Sequence, residues 1–200
     1  GVYGADFSDG SGDISAIASQ VVAQAEAKAQ AYQDRKTEVE KAAVEYRASE
    51  IQKETTEIRE KAIEAAKKKK EEEARKAEEE RVAARQEVAD FAVQFVGNPY
   101  VWGGTSLTNG ADCSGFTMSV FAQFGYSLPR TAAAQYEASN KKDISQLETG
   151  DLVFYGAGGI NHVALYIGNG KIVHASGAAT GIKISDYNYE TPVGIGSYMK

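Results

Sequence analysis

One cysteine and two histidines are the residues of this chain whose types and spacing point most directly to nucleophilic catalysis. Cys113, His162 and His174 all lie in the second half of the 200-residue sequence. A cysteine attacks a carbonyl carbon when a neighbouring base takes the thiol proton, and that base needs a third group to orient its ring. The three residues therefore predict a Cys-His-His site for nucleophilic catalysis.

The surroundings of Cys113 favour a reactive thiol. It lies in the run DCSGF, residues 112–116, at the start of an apolar stretch that predicts a helix. The positive end of a helix dipole stabilises a thiolate at this position. Asp112 and Ser114 are polar neighbours of a kind that seldom lines a buried apolar slot. An inert buried cysteine is the alternative interpretation.

The two histidines lie on either side of a predicted hairpin turn. His162 opens one strand-like run, His174 ends the next, and Gly168-Asn169-Gly170 separates the two. The simplest assignment makes His162 the base and His174 the orienting group, although the sequence leaves swapped roles open. Zinc binding by these three side chains is an alternative. The close ligand pairs typical of zinc sites are absent, so we expect no metal and no cofactor.

The second half of the chain has the pattern of an α+β domain. A predicted helix after Cys113 precedes several short apolar runs separated by turn residues. These runs are Asp151–Tyr155, His162–Ile167, Lys171–Ala175, Ile182–Ser185 and Ile195–Met199. Helices followed by consecutive strands predict an antiparallel β-sheet packed on helices.

The first half differs in composition and predicts a long helix. No Gly or Pro lies between Gly12 and Gly97, and strong helix formers dominate this stretch. We expect a flexible linker over residues 1–12, a helical or coiled-coil segment over 13–84 and the catalytic domain over 85–200. Ser11 or Asp13 would cap the long helix, and a last helix is predicted over residues 81–96.

A heptad-like pattern runs along the long helix. Alternating steps of three and four residues link Ala25, Ala29, Tyr32, Lys36, Val39, Ala43 and Tyr46, and after a one-residue slip Ile51, Thr55, Ile58, Ala62 and Ala65. This spacing is typical of a coiled coil with a stutter. It favours a spacer or a self-associating helix. A regulatory helix that packs over the catalytic half and inhibits it is the alternative, and the heptads do not decide between a parallel dimer and a helical hairpin.

Composition excludes several classes of function. The net charge is −6, whereas a nucleic-acid-binding domain normally carries a basic surface. No apolar run reaches the roughly 18 residues needed to cross a bilayer. We therefore expect neither a nucleic-acid partner nor an integral membrane span.

Six blocks of the second half together resemble the NlpC-type cell-wall peptidases. In chain order they are Pro99–Gly104 (PYVWGG), Asp112–Phe116 (DCSGF), Leu128–Thr131 with Gln135, Gly150–Phe154 (GDLVF), His162–Gly168 (HVALYIG) and His174-Ala175. The resemblance covers roughly residues 85–200. It implies a papain-like cysteine peptidase of the bacterial cell wall, secreted, that hydrolyses peptidoglycan stem peptides. The implied bond joins the γ-carboxyl of D-glutamate to the diamino acid at position three.

The resemblance also implies roles for individual residues. By motif position, Cys113 is the nucleophile, His162 the base and His174 the orienting group. Tyr100 matches a tyrosine whose hydroxyl lies beside the nucleophile and helps to stabilise the oxyanion.

Four further residues are candidate substrate contacts. Asp112 and Ser114 match residues that bind the free amine of a stem-peptide L-alanine in several members of the family. Trp102 is either a platform for the substrate or a structural residue of the core and groove wall. Arg130 either contacts substrate or anchors the turn from Thr131 to Gln135. Alternatives for the whole chain are an N-acetylmuramoyl-L-alanine amidase or acyltransferase on the same scaffold, and a non-catalytic coiled-coil protein that binds the cell wall.

Overall fold

A computed structural model describes the backbone of residues 8–200 and the side chains from residue 12 onward. Residues 1–7 of the predicted linker lie outside the described residues. The chain divides into two compact units, one ending at Lys70 and one comprising Glu71–Lys200. No helix of the described part combines the length and the apolar character needed to cross a membrane.

The N-terminal half is a single α-helix, α1, which comprises Ser8–Val93. Its length follows from the absence of Gly and Pro between Gly12 and Gly97, since those residues are the least favourable inside a helix. The helix begins upstream of the predicted caps, so Ser11 and Asp13 lie within it and the capping prediction is wrong. The helix predicted over residues 81–96 is present as the last part of α1, which ends at Val93, three residues earlier than predicted.

The second unit contains one main antiparallel sheet and a small two-stranded one. The small sheet pairs β1 (Thr105–Ser106) with β2 (Gly110–Ala111). The strands of the main sheet are β3 (Asn140–Lys142), β4 (Leu152–Tyr155), β5 (His162–Gly168), β6 (Lys171–Gly177), β7 (Gly181–Asp186) and β8 (Gly194–Ser197). Their order is β3-β8-β4-β5-β6-β7, and neighbouring strands run antiparallel. The five strand-like runs of the sequence correspond to β4 through β8.

Short helices complete the unit. Helix α2 comprises Cys113–Ala122, helix α3 comprises Ala132–Ala138, and a 3₁₀ turn comprises Ile144–Gln146. The stretch expected to be a turn after Arg130 is therefore the start of α3, whose N-cap is Thr131. The Thr131 hydroxyl accepts the N–H of Ala134 at 3.2 Å, which satisfies one of the free donors at the start of that helix.

The core lies between the helices and one face of the main sheet. Alternate residues of the strands pack against buried side chains of α1 and α2, because successive side chains of a strand point to opposite faces. The core residues include Leu152, Phe154, Val163, Leu165, Val173, Ala175 and Ile182 from the sheet, Val88 and Ala92 from α1, and Phe116, Val120 and Phe121 from α2. A smaller cluster covers the opposite face and contains Val153, Tyr155, Ala164, Ile172 and Ile195.

Candidate active site

Cys113 is the first residue of α2, as the sequence predicted. The preceding residue, Asp112, is the N-cap, and its carboxylate accepts the N–H of Gly115 at 2.8 Å. Gly115 is required here because a Cβ at this position would overlap the carbonyl oxygen of Gly104. The DCSGF run thus places the sulfur at the positive end of a helix and holds that end against the loop before β1.

The two histidines are in direct contact. Strand β5 pairs with β6 so that Leu165 faces Val173, and this register puts His162 and His174 on the same face, diagonally across the two strands. Nε2 of His162 lies 2.7 Å from Nδ1 of His174. The predicted proximity of the two histidines on adjacent strands is confirmed.

The hydrogen-bond chain continues into β7. Nε2 of His174 lies 2.9 Å from the hydroxyl oxygen of Ser185. A single tautomer assignment leaves His162 ready to act as a base: its Nε2–H donates to Nδ1 of His174, and Nε2–H of His174 donates to Ser185. Nδ1 of His162 then carries the free lone pair that can accept a proton.

The sulfur of Cys113 lies against the backbone on both sides of His162. It is 4.0 Å from the carbonyl oxygen of Asn161, and the backbone N–H of Val163 forms a hydrogen bond that favours the thiolate. Cys113 and His162 also line the same cleft, which has a volume of about 630 Å³. His174 is 1% exposed and lies behind His162, where it contacts the base instead of the substrate.

Burial determines the protonation states of these groups. It raises the pKa of the Cys113 thiol, and Asp112 raises it further, against the lowering effect of hydrogen bonds from backbone N–H groups. Burial lowers the pKa of His162 to about 4 and also lowers the pKa of His174. The prediction of a thiolate at the start of the helix is therefore wrong for the free site, because burial raises the pKa of the thiol more than the backbone N–H groups lower it.

At neutral pH the site thus contains a neutral thiol and a neutral imidazole. Such a pair transfers its proton when the sulfur attacks, with His162 acting as a general base. The rings of Tyr155 and Tyr189 contribute to the desolvation, since their centroids lie 5.8 Å from that of His162 and 5.4 Å from that of His174, respectively.

Arg130 forms a double ion pair with Asp112. Its Nη1 donates to Oδ1 at 2.9 Å and its Nη2 donates to Oδ2 at 2.8 Å, and Nη1 also donates to the hydroxyl of Ser114 at 2.9 Å. Burial would raise the pKa of Asp112, but Arg130 and the N–H groups of Gly115 and Gly103 lower it overall. Arg130 therefore belongs to the cleft and holds the Asp112 carboxylate in its charged form.

Two aromatic residues complete the cleft. Tyr100 is half-buried, and its backbone forms an isolated β-bridge with Ala111. Burial and the nearby Cys113 raise the pKa of its hydroxyl. Trp102 is 86% exposed at the rim, so the core placement considered for it is wrong. Both aromatic side chains line the cleft. No group of three or more metal-binding side chains occurs among the described residues.

Comparison with known proteins identifies the family. The NlpC/P60 family model matches residues 97–193. The solved NlpC/P60 domain of the peptidoglycan hydrolase SagA is 36% identical, with a TM-score of 0.51, and the match covers 55% of this chain and 95% of that domain. The chain belongs to the NlpC/P60 family.

Curated relatives of this NlpC/P60 chain include two bacterial enzymes. A probable endopeptidase p60 of Listeria innocua is 49% identical over 85 residues, which are 42% of this chain and 18% of that protein. The γ-D-glutamyl-L-lysine dipeptidyl-peptidase of Bacillus subtilis is 40% identical over 103 residues, which are 50% of this chain and 34% of that protein. The chain thus spans only a fraction of the length of these relatives. The α+β fold predicted from the sequence is confirmed.

Ser185 is the residue of this NlpC/P60 site that sequence reasoning missed. It appeared only as the last residue of a predicted strand, with no sign of a link to the histidines. The sequence did offer one indication of the link between His174 and Ser185. Consecutive strands such as β6 and β7 often form a hairpin, and polar residues on one face of a hairpin are neighbours. In the structure His174 faces Lys183 across that pair, and Ser185 is two residues further along β7.

Proposed function

We propose that this chain is a cysteine endopeptidase that cleaves peptidoglycan stem peptides. The observation that carries the proposal is the contact of the Cys113 sulfur with the backbone on both sides of His162, together with the hydrogen bond from His162 to His174. Cys113 and His162 line one cleft, and His174 contacts His162 from behind, which supports the roles of nucleophile, base and orienting group proposed for them.

The first half of the reaction forms a thioester. The Cys113 sulfur attacks the carbonyl carbon, and its proton passes to Nδ1 of His162 while His174 holds the ring in place. The N–H of Cys113, at the start of α2, and the Tyr100 hydroxyl are the donors proposed for the oxyanion. When the intermediate collapses, the C–N bond breaks and the leaving amine takes the proton from His162.

The second half regenerates the site. His162, again neutral, takes a proton from a water molecule as that water attacks the thioester carbon. The C–S bond then breaks, the sulfur recovers its proton from His162, and the new carboxylic acid leaves and gives up its remaining proton to solvent. The groups that carry out these steps are side chains and a backbone N–H of this chain, with water as the second nucleophile.

The proposed scissile bond joins the γ-carboxyl of D-glutamate to the diamino acid at position three. The printed name of the Bacillus subtilis relative, a γ-D-glutamyl-L-lysine dipeptidyl-peptidase, supports this choice. Asp112, kept ionised by Arg130, and Ser114 supply the negative charge and the hydroxyl that suit the amino end of a short peptide. Trp102 and Arg130 are the proposed contacts at the rim. We expect the enzyme to act at a bacterial cell wall, as a secreted protein.

Digestion of purified sacculi of known composition tests the proposal. We expect the wild-type chain to release fragments with a new D-glutamate carboxyl end and a new diamino-acid amino end, identified by mass spectrometry. Cys113→Ala should abolish release without loss of secondary structure, whereas Ser127→Ala, an exposed position away from the cleft, should not affect it. Retained activity in Cys113→Ala would contradict the mechanism, and a cut between muramic acid and L-alanine would show an amidase instead.

A further inference from the structure

The first unit leaves a row of apolar side chains exposed. The seam is the heptad-spaced set Ala25, Ala29, Tyr32, Lys36, Val39, Ala43, Tyr46, Ile51, Thr55, Ile58, Ala62 and Ala65, all within α1. Its large apolar members, Tyr32, Val39, Tyr46, Ile51 and Ile58, are 59–69% exposed. Between residues 25 and 65 the other large exposed apolar side chains are Val44 and Ile63. Apolar residues at this spacing are normally buried against another helix.

Charges beside the seam fit a second copy of the same helix. With Ala29 and Lys36 at heptad position a and Tyr32 and Val39 at position d, Arg35 occupies position g. Glu40 occupies position e. In a parallel, in-register pair of helices, each g residue faces the e residue five positions later on the other helix. Arg35 of one copy therefore faces Glu40 of the other.

The same complementarity recurs after the slip in the heptads. With Ile51 and Ile58 at position d, Glu54 occupies position g and Arg59 position e, again with opposite charges. The remaining pairs join a charged residue to a neutral one: Lys28 with Gln33, Ala42 with Arg47, Arg47 with Gln52, and Lys61 with Ala66. A parallel pair of helices thus gains attraction between Arg35 and Glu40 and between Glu54 and Arg59. It meets no like-charge repulsion at positions e and g.

Within the described part of one chain, these four charged residues take part in no ion pair. The helix does contain others, such as Lys53 with Glu50 and Arg75 with Glu72. Arg35, Glu40, Glu54 and Arg59 are exposed and remain available for a second copy.

Lys36 argues for two strands. It is the one charged residue of the seam, and a lysine at a single a position selects the register and the number of helices, at a cost in stability. We propose that residues 25–65 pair with a second copy of this chain as a parallel, in-register, two-stranded coiled coil.

Charge reversal tests the register. In the full chain, Arg35→Glu places glutamate opposite Glu40 twice per dimer, and we expect the dissociation constant from sedimentation equilibrium to rise about tenfold. Adding Glu40→Arg restores opposite charges and should restore the affinity. The matched control is Lys41→Glu, which makes the same change in net charge at outward position f and should leave the affinity unchanged.

Several outcomes would overturn the pairing. They are a wild-type chain that stays monomeric at micromolar concentrations, an equal effect of Lys41→Glu, and a double variant as weak as Arg35→Glu alone. Circular dichroism of each variant checks that the helix itself has not melted.

Disulfide crosslinking tests the direction. In a Cys113→Ser background, Val39→Cys places thiols opposite each other across a parallel seam, and we expect rapid oxidation to a covalent dimer. Val44→Cys is the control, because this residue has similar exposure but lies beside the seam. Crosslinking through position 44 and not 39, or through neither, would exclude the parallel in-register pair.

Discussion

The chain of hydrogen bonds from His162 through His174 to Ser185 is the central feature at the scale of the residue. The distance from His162 to His174 is 2.7 Å, and the distance from His174 to Ser185 is 2.9 Å. Because Nε2 of His162 is engaged by His174, Nδ1 is the nitrogen left to accept the thiol proton. Ser185 contacts His174 and does not line the cleft, so we propose that it acts through His174 as a positioning residue.

Removal of the Ser185 hydroxyl should lower the rate without weakening substrate binding. In Ser185→Ala, Nε2 of His174 loses its partner, so the tautomer and orientation of the ring are less well held. We expect kcat to fall about tenfold, the equivalent of one hydrogen bond, with KM unchanged. Kinetics on a soluble muropeptide measure both constants.

Ser185→Thr is the control for that change, since it keeps the hydroxyl and should recover most of the rate. A rise in KM at constant kcat would instead assign Ser185 to substrate binding.

The lowered pKa of His162 predicts activity at unusually acidic pH. An ordinary histidine takes up a proton near pH 6.5, whereas burial lowers the pKa of His162 to about 4. His162 therefore stays neutral as the pH falls from about 6.5 towards 4. We expect kcat/KM to be constant from pH 7 to about pH 5 and to fall as pH approaches 4. An acidic limb near pH 6.5 would contradict the buried neutral pair.

The free energy of unfolding of the second unit should also depend on pH between about pH 6.5 and 4. The folded pKa lies below the unfolded one, so the unfolded chain binds more protons between about pH 6.5 and 4. The stabilising contribution of neutral His162 is complete above pH 6.5 and is lost as the pH falls through 4. Thermal unfolding of the second unit should thus begin at progressively lower temperature across this range.

At the scale of the element, a buried charge network fixes the end of α1 to the sheet. Arg85 is 3% exposed, and its guanidinium donates to the Asp151 carboxylate at 2.8 Å and to the Ser197 hydroxyl at 3.0 Å. The network extends from Asp151 to Lys142, whose ammonium donates to the same carboxylate at 2.8 Å. This network joins residues distant in sequence: the last turns of α1, the start of β4 and the edge strand β3.

Breaking this network should destabilise the second unit strongly. Arg85→Ala removes one of the two cations that pair with the buried Asp151 carboxylate, together with the other buried hydrogen bonds of the guanidinium, which costs about 3–5 kcal/mol of unfolding free energy. Arg75→Ala is the matched control, because Arg75 pairs only with exposed glutamates of its own helix and should cost at most about 1 kcal/mol. Denaturant unfolding followed by near-ultraviolet circular dichroism of the tyrosines measures both. Equal costs for the two variants would contradict the assignment.

At the scale of the whole molecule, the candidate chemistry belongs to one unit. The cleft is lined entirely by residues between Tyr100 and Ser176, within the unit Glu71–Lys200. The solved SagA domain, of which the match covers 95%, shows that a domain of this family adopts its fold as a separate chain. The seam, in contrast, lies wholly within the first unit.

Deletion of residues 1–70 should separate hydrolysis, which we assign to the second unit, from self-association, which we assign to the first. We expect the remaining chain to hydrolyse a soluble muropeptide at the wild-type rate, because no lining residue of the cleft is removed. Self-association should be lost with the seam. A marked increase in rate would instead support the autoinhibitory packing considered from the sequence, and a loss of rate would show that the first unit assists catalysis.

The sequence by itself determined the long helix, the five strands β4–β8, the α+β class and the candidate triad. These depend on local patterns: the absence of Gly and Pro in α1, the alternation of apolar residues in strands, and the turn at Gly168-Asn169-Gly170. Even the proximity of His162 and His174 followed from a short hairpin.

Only the tertiary structure decided the electrostatics of the site. The raised pKa of Cys113, the pairing of Arg130 with Asp112, the exposure of Trp102 and the link from His174 to Ser185 all depend on contacts between distant segments. Desolvation and ion pairing act through space and vary with burial, so no pattern among neighbouring residues predicts them.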